Sequence, residues 1–194
     1  MLQPETFDRI KQKHGHYASW AIWADEGVRI KDNVGDLSIF DDTPALLPQL
    51  KPNVVLVGLN ISRTLLDSFG NFHDSRPQSQ DYKLRYSLQR TSVWGAYMTD
   101  IIKDFEEKAS GKMMAYLRSN KAFETSNVAT FKEELADLGA TSPIPIAIGN
   151  DAQKILWRNF KDEYDIRVIP HYSQHISKET YREQVGAEIL SLAI

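Results

Sequence analysis

The residues best placed for chemistry come directly after two apolar runs. The first run, residues 54–57, continues through Gly58 and Leu59 to the amide of Asn60. The second, residues 166–169, is followed by Pro170 and then by the imidazole of His171. An amide oxygen can orient a water molecule, and an imidazole can donate a hydrogen bond to a carbonyl oxygen. Two such run ends together form the frame of a candidate site.

The first run predicts the kind of element that must carry these groups. It is β-branched, apolar and uncharged, which is typical of a strand buried on both faces of a parallel sheet. Residues 93–100, 143–149 and 166–170 are predicted as three more core strands, with helical segments between them. We therefore expect one α/β domain over residues 1–194, a three-layer α/β/α sandwich around a mainly parallel four-stranded sheet.

Ligands of open parallel sheets bind at the carboxyl ends of the strands. Asn60, Asp100, Gly149 and His171 stand at or near the ends of the four predicted strands. We therefore expect all four at the same edge of the sheet.

The connecting segments carry helix signals of unequal clarity. Helices are predicted over residues 4–14, 83–91, 126–138 and 150–160, with an exposed helical insert within 105–125. The last helix is the best marked, because Ser177 can cap it and Ile176 and Tyr181 stand at the positions of a hydrophobic staple. Residues 17–24 fit a short helix or a strand, and residues 25–52 predict irregular structure rich in turns.

The motifs at the two strand ends resemble those of the uracil-DNA glycosylase superfamily. Its mismatch-specific and single-strand-selective branches carry Gly-x-Asn-Pro-Gly after the first core strand and Asn-Pro-Ser or His-Pro-Ser after the last. Here residues 58–62 read Gly-Leu-Asn-Ile-Ser and residues 171–173 read His-Tyr-Ser. Those branches also place a base-stacking Phe about a dozen residues after the motif Asn, as Phe72 is placed here. The resemblance covers roughly residues 54–190.

The resemblance implies a uracil-DNA glycosylase-like fold and a role for each matched residue. It implies that Asn60 and His171 are catalytic, the first orienting water and the second stabilising the departing base. It further implies contacts to the substrate from Gly58, Leu59, Phe72, Asp100 and Ser173, with no cofactor. Asp100 falls near the position where relatives use an Asn to read the base edge; an ionised carboxylate there prefers an amino-bearing edge or must hold a proton.

A DNA-binding function requires a local basic patch, because the formal net charge is −3. Residues 76–90 hold four cations against the single carboxylate of Asp81. The alternative is a solvated helix face that happens to be basic. The predicted DNA contacts are Arg76, Lys83, Arg85, Arg90 and His175.

Composition excludes several classes of protein. With no cysteine, the chain has no disulfide, thiolate metal site or cysteine nucleophile. No window approaches the ~18 apolar residues that span a membrane, and the first residues lack the order of a secretory signal. We therefore expect a cytoplasmic protein whose partner is DNA or a nucleobase-containing ligand, with no obligate protein partner evident.

Two other functions remain open from the sequence. One is a non-catalytic nucleotide- or nucleic-acid-binding protein on the same fold. The other is a metal-dependent hydrolase, since His73, Asp74, His171 and His175 are ligand types suited to zinc or iron. No His-Glu-x-x-His spacing supports this metal site, and neither a P-loop nor a dinucleotide fingerprint occurs.

Overall fold

A five-stranded, mostly parallel sheet organises the chain. The computed structural model describes residues 2–103 and 105–190. Within them the strands run in the spatial order β1-β3-β2-β4-β5, with β1 antiparallel to β3 and the other neighbours parallel. The strand bounds are Ser19–Trp20 for β1, Lys51–Asn60 for β2, Ala96–Ile102 for β3, Ile144–Ile148 for β4 and Arg167–Ile169 for β5.

Helices cover both faces of the sheet. In the described part of the chain they are α1 Pro4–His14, α2 Thr43–Leu46, α3 Asp81–Leu88, α4 Ser110–Ser119, α5 Lys121–Asp137, α6 Asn150–Phe160 and α7 Lys178–Ile189. Short 3₁₀ turns, Leu37–Phe40 and Leu47–Gln49, flank α2. None of these helices combines the length and the apolar character that crossing a membrane requires.

The alternation of side chains along each strand builds two apolar cores. Val55 and Val57 of β2 face the core formed with α1, α5 and α6, which includes Phe131 and Ile155. The intervening residue Leu56 faces a second core, where it meets apolar side chains of α3 and α7: Leu84, Leu88, Tyr181, Val185 and Ile189. Because both faces of the strand are covered, no polar alternation marks it in the sequence.

The three layers and the parallel core agree with the sequence prediction, but the number of strands was wrong. The additional strand, β1, is two residues long and extends the sheet beyond β3. Every residue from Tyr17 to Trp23 is buried, so this segment shows neither period that distinguishes a strand from a helix. Its pairing depends on contact with β3, which is distant in sequence.

The helix boundaries follow the sequence signals at α1, α6 and α7, whereas α3 covers Asp81–Leu88 in place of the predicted residues 83–91 and α5 also differs. Ser177 caps α7 as predicted, because its Oγ accepts a hydrogen bond from the Thr180 N–H at 3.0 Å. In contrast, α5 begins at Lys121 rather than at residue 126, and it takes in the end of the predicted insert. The insert itself carries α4, whose Met113 and Leu117 are buried.

Replacing Gly95 and replacing Gly186 with Ala should have opposite effects on stability, the first through backbone strain and the second through helix propensity. Gly95 has φ +86°, and a Cβ built on it would lie 1.9 Å from the Gln49 carbonyl oxygen. Gly186 lies within α7 with no atom within 4 Å of such a Cβ. We expect Gly95→Ala to lower the free energy of unfolding by at least about 2 kcal/mol. Gly186→Ala should raise it by up to about 1 kcal/mol. Urea unfolding measures both; equal effects would contradict the strain at Gly95.

Candidate functional site

A cleft of about 600 Å³ opens at the carboxyl ends of the parallel strands. The ends of β2 and β3, the turn from β4 into α6 and the segment after β5 all contribute to its walls. All the residues predicted to be catalytic or to contact the substrate line it: Gly58, Leu59, Asn60, Phe72, Asp100, His171 and Ser173. Asn60, Asp100, Gly149 and His171 thus share one edge of the sheet, as the strand pattern predicts.

The cleft begins where one face of the sheet changes from apolar to polar. On β2 this face carries Leu56 in the core, then Gly58, then Asn60. On β3 it carries Met98 and then Asp100, which is paired in register with Gly58. The change occurs at the same level on adjacent strands, so polar groups meet above an apolar floor.

Gly58 provides the space in which the site is assembled. A Cβ at this position would lie 2.2 Å from Asp100 Oδ1 and 3.2 Å from Phe72 Cζ. The first distance is impossible for two non-bonded heavy atoms. Any side chain here would therefore displace the carboxylate and press on the ring.

Asp100 is a buried carboxyl group held from one side. Its Oδ2 accepts a hydrogen bond from Asn71 Nδ2 at 2.8 Å, and its side chain is almost wholly buried. Within residues 2–103 and 105–190, Oδ1 has no hydrogen-bond partner. Burial raises the pKa of Asp100 to about 7, against the opposing effects of the Asn71 hydrogen bond and the Lys103 charge.

Phe72 is held in the left-handed region, with φ +63°. Such a conformation is strained for a bulky residue and persists only where neighbouring contacts impose it. Here the Phe72 N–H donates to Asn71 Oδ1 at 3.1 Å, and the Phe72 carbonyl oxygen accepts from Trp23 Nε1 at 3.2 Å. The ring packs edge-on to Tyr172, with centroids 6.5 Å apart. Phe72 thus forms a fixed aromatic wall of the cleft.

The amide of Asn60 has a fixed orientation. Three carbonyl oxygens, those of Ile61, Phe105 and Glu107, lie 2.8, 3.0 and 2.9 Å from its Nδ2 and share its two hydrogens. Because all three partners are acceptors, the nitrogen must face them and Oδ1 must face away. Among the described residues no group donates to Oδ1, which leaves an acceptor in the cleft lining.

The hydrogen bonds of His171 determine which ring nitrogen carries the proton. Its Nδ1 lies 3.2 Å from the Ser173 backbone N–H and 2.8 Å from Ser173 Oγ. A backbone N–H only donates, so Nδ1 is an acceptor and the proton of the neutral ring is on Nε2. Burial lowers the pKa of His171, which keeps the ring neutral at pH 7. The imidazole therefore offers one N–H donor to a ligand.

The predicted basic patch needs correction at Lys83 and Arg85. Lys83 is buried and its ammonium donates to the carbonyl oxygens of Gln174 and Ile176, both at 2.9 Å. Arg85 is 1% exposed and donates to the carbonyl oxygens of Ala24 and Ile30. Neither cation can reach DNA, because each is engaged in the interior. Lys83 and Arg85 stand two residues apart on the helix. This spacing does not show how far a long side chain folds back into the interior, so the sequence could not reveal their burial.

The other three predicted DNA contacts are exposed, and Arg90 lies apart from the other two. Arg76 stands at the cleft, with its guanidinium paired to Asp74 at 2.7 Å. His175 follows the segment that holds His171 and lines a shallow groove beside α7. Arg90 comes after the end of α3, shortly before β3 begins, which puts it at the amino edge of the sheet and away from the cleft.

The structure does not bring the four candidate metal ligands together. His73 is buried, with Nδ1 2.9 Å from the Asn71 carbonyl oxygen and Nε2 2.9 Å from that of Ile22. No group of three or more histidine or carboxylate side chains suited to a metal occurs in the part of the chain that is described. The metal-dependent hydrolase therefore has no support from the geometry.

Two cleft residues were missed in the sequence. Asn71 orients Asp100 and the Phe72 backbone at once, and its second Nδ2 hydrogen bond goes to the Tyr17 carbonyl oxygen at 2.7 Å. Asp81 begins α3 and accepts hydrogen bonds from the Asp74 N–H and Ser79 Oγ, both at 2.9 Å, so it fixes the loop. Burial raises the pKa of Asp81 to about 6. Both are ordinary polar residues of a turn-rich loop, where no periodicity distinguishes them.

Comparisons with protein-family models, with curated proteins and with solved structures return no match to this chain. The chemistry of the cleft therefore has to be inferred from its own geometry.

The buried carboxyl of Asp100 predicts an unusual dependence of stability on pH. Its pKa is about 7 in the folded protein and 3.8 in the unfolded chain, so the folded state binds the extra proton between these values. The stability that this proton contributes is present at low pH and is lost as pH rises towards 7. Asp100→Asn removes this loss. We expect the free energy of unfolding of the variant, minus that of the parent, to increase by about 2 kcal/mol between pH 5 and 7.

Urea unfolding at half-unit pH intervals measures this difference. The exposed residue Asp41 provides the control, because Asp41→Asn removes a carboxyl group at the surface. A difference between Asp100→Asn and the parent that stays constant with pH would contradict the raised pKa.

Proposed function

We propose that the cleft binds a nucleobase extruded from DNA and hydrolyses its N-glycosidic bond, as a uracil-DNA glycosylase-like enzyme without a cofactor. The observation that carries this proposal is that Asn60, Phe72 and His171 line one cleft, while the hydrogen bonds of the two polar residues occupy Asn60 Nδ2 and His171 Nδ1 and leave Asn60 Oδ1 and His171 Nε2–H for a ligand. These groups supply a water acceptor, a donor for the leaving base and a stacking wall. The motif resemblance favours the same assignment.

The reaction needs a water held against C1′ of the sugar while the base departs. Asn60 is suited to hold it, because three carbonyl oxygens share the two hydrogens of its nitrogen and so direct its oxygen away from them. An amide is not a strong base, so its contribution is orientation of the water. The water oxygen bonds to C1′, one of its protons remains on the new hydroxyl group and the other passes to solvent.

The departing base takes the electrons of the C1′–N bond and carries negative charge until solvent protonates it. A neutral imidazole can stabilise that charge by donating from Nε2 to a base carbonyl oxygen. The hydrogen bonds from Ser173 to Nδ1 hold His171 in the required tautomer. Ser173 is therefore a positioning residue.

Two departures from the related motifs surround these groups. Ile61 and Ser62 stand where the relatives have Pro-Gly, and Tyr172 stands where they have Pro. Tyr172 stacks on the His171 ring, with centroids 4.6 Å apart, and makes an edge-to-face contact with the Phe72 ring. Tyr172 thus fills the cleft wall between the ends of β2 and β5. Its side chain narrows the range of bases that fit in the cleft.

The proposal predicts base excision that depends on Asn60 and His171. Oligonucleotides carrying uracil, hypoxanthine, xanthine or an alkylated base are incubated with the protein and treated with alkali to break abasic sites. We expect excision of at least one of these bases. Asn60→Ala and His171→Ala should each lower turnover by about 10²-fold or more, the scale of losing a positioned catalytic group.

Arg167→Ala is the matched control for His171→Ala. Arg167 lies at the amino end of the same strand, where it pairs with Asp165 at 2.7 Å, and we expect normal turnover from this variant. Affinity for the substrate strand should barely change in Asn60→Ala. If the parent protein binds these oligonucleotides but excises no base, the non-catalytic nucleotide- or nucleic-acid-binding function replaces the enzymatic one.

A further inference from the structure

We infer that the cleft selects a base presenting an exocyclic amino group, and that Asp100 is the residue that selects it. This inference rests on the proposed function, since it names the class of base that the same cleft binds.

The two oxygens of Asp100 have different surroundings. Oδ2 is held by Asn71 Nδ2, whose other hydrogen bond goes to the Tyr17 carbonyl oxygen. Oδ1 and Phe72 Cζ both lie close to Gly58, 2.2 and 3.2 Å from a Cβ built there, and no described residue donates to Oδ1. A base stacked on Phe72 would therefore meet Oδ1 with its edge. An ionised carboxylate only accepts hydrogen bonds, so it favours an edge with N–H groups and repels a carbonyl oxygen.

Asn71 cannot relax this selectivity by rotating. Its Oδ1 accepts from the Phe72 N–H, and both Nδ2 hydrogens are engaged. A flip of the amide would break all three hydrogen bonds at once. Asn71 therefore keeps a donor towards Asp100 and leaves Oδ1 as the acceptor at the floor of the cleft.

This arrangement makes Asp100→Asn an inversion of polarity with little change of shape. The new amide must present its oxygen to Asn71, since Asn71 Nδ2 can only donate. Its nitrogen then occupies the position of Oδ1 over Gly58. The cleft would offer a donor where the parent protein offers an acceptor, and a carbonyl oxygen on the base would become the favoured partner.

Two pairs of nucleosides test the inference. Deoxyguanosine and deoxyinosine differ by one amino group, and deoxycytidine carries an amino group where deoxyuridine carries a carbonyl oxygen. NMR titration at pH 8.0, where a carboxyl with pKa about 7 is mostly ionised, measures even weak dissociation constants. In at least one pair we expect the parent to bind the amino-bearing member at least about fivefold more tightly. Asp100→Asn should abolish or reverse that ratio.

Asp41→Asn is the control, because it removes a carboxyl group from an exposed position outside the cleft. It should leave the ratio unchanged. Equal binding within both pairs, a preference for the members without the amino group, or a ratio that survives Asp100→Asn would overturn the inference while the proposed function stands. Failure of all four nucleosides to bind, together with no excision in the oligonucleotide assay, would overturn both.

Discussion

The site depends on one missing side chain. Gly58 lies in the middle of a face where Leu56 belongs to the core and Asn60 reaches the cleft. Because Gly58 has no Cβ, Asp100 from the next strand and Phe72 from the following loop can both approach the backbone of β2. A sheet of this kind normally fills such a position with an apolar residue. Leaving it empty converts the end of a packed core into the floor of the cleft.

Asn71 connects Asp100, at the bottom of the cleft, to two other segments of the chain by hydrogen bonds. Its three hydrogen bonds connect the segment before β1, the end of β3 and the strained Phe72 backbone. A buried polar network is favourable only when its members are satisfied, and here every hydrogen-bonding group of the Asn71 side chain has a partner. No group of residues 2–103 and 105–190 donates to Asp100 Oδ1, and burial of this carboxyl raises its pKa. The acceptor of this network that has no described partner, Asp100 Oδ1, therefore lies at the cleft.

Two buried cations of α3, Lys83 and Arg85, stabilise the segments around the site without lining the catalytic groups. Lys83 ties helix α3 to the carbonyl oxygens of Gln174 and Ile176, in the segment that follows His171. Arg85 ties the same helix to residues 24 and 30, close to β1 in sequence. Helix α3 therefore holds the segments around residues 24–30 and 174–176 in place through charge-assisted hydrogen bonds, which are stronger than neutral ones. The basic character of residues 83–85 serves the architecture of the cleft.

The sequence by itself determined the parallel strands, the layers of helices and the edge at which Asn60, Asp100 and His171 meet. These follow from local properties: apolar runs of strand length, helix caps and the common direction of parallel strands. Only the tertiary structure decided that β1 joins the sheet, that Lys83 and Arg85 turn inward, and that Asn71 orients Asp100. Each of these depends on contacts between residues far apart in the chain, and a hydrogen bond between such partners leaves no periodic pattern along the sequence.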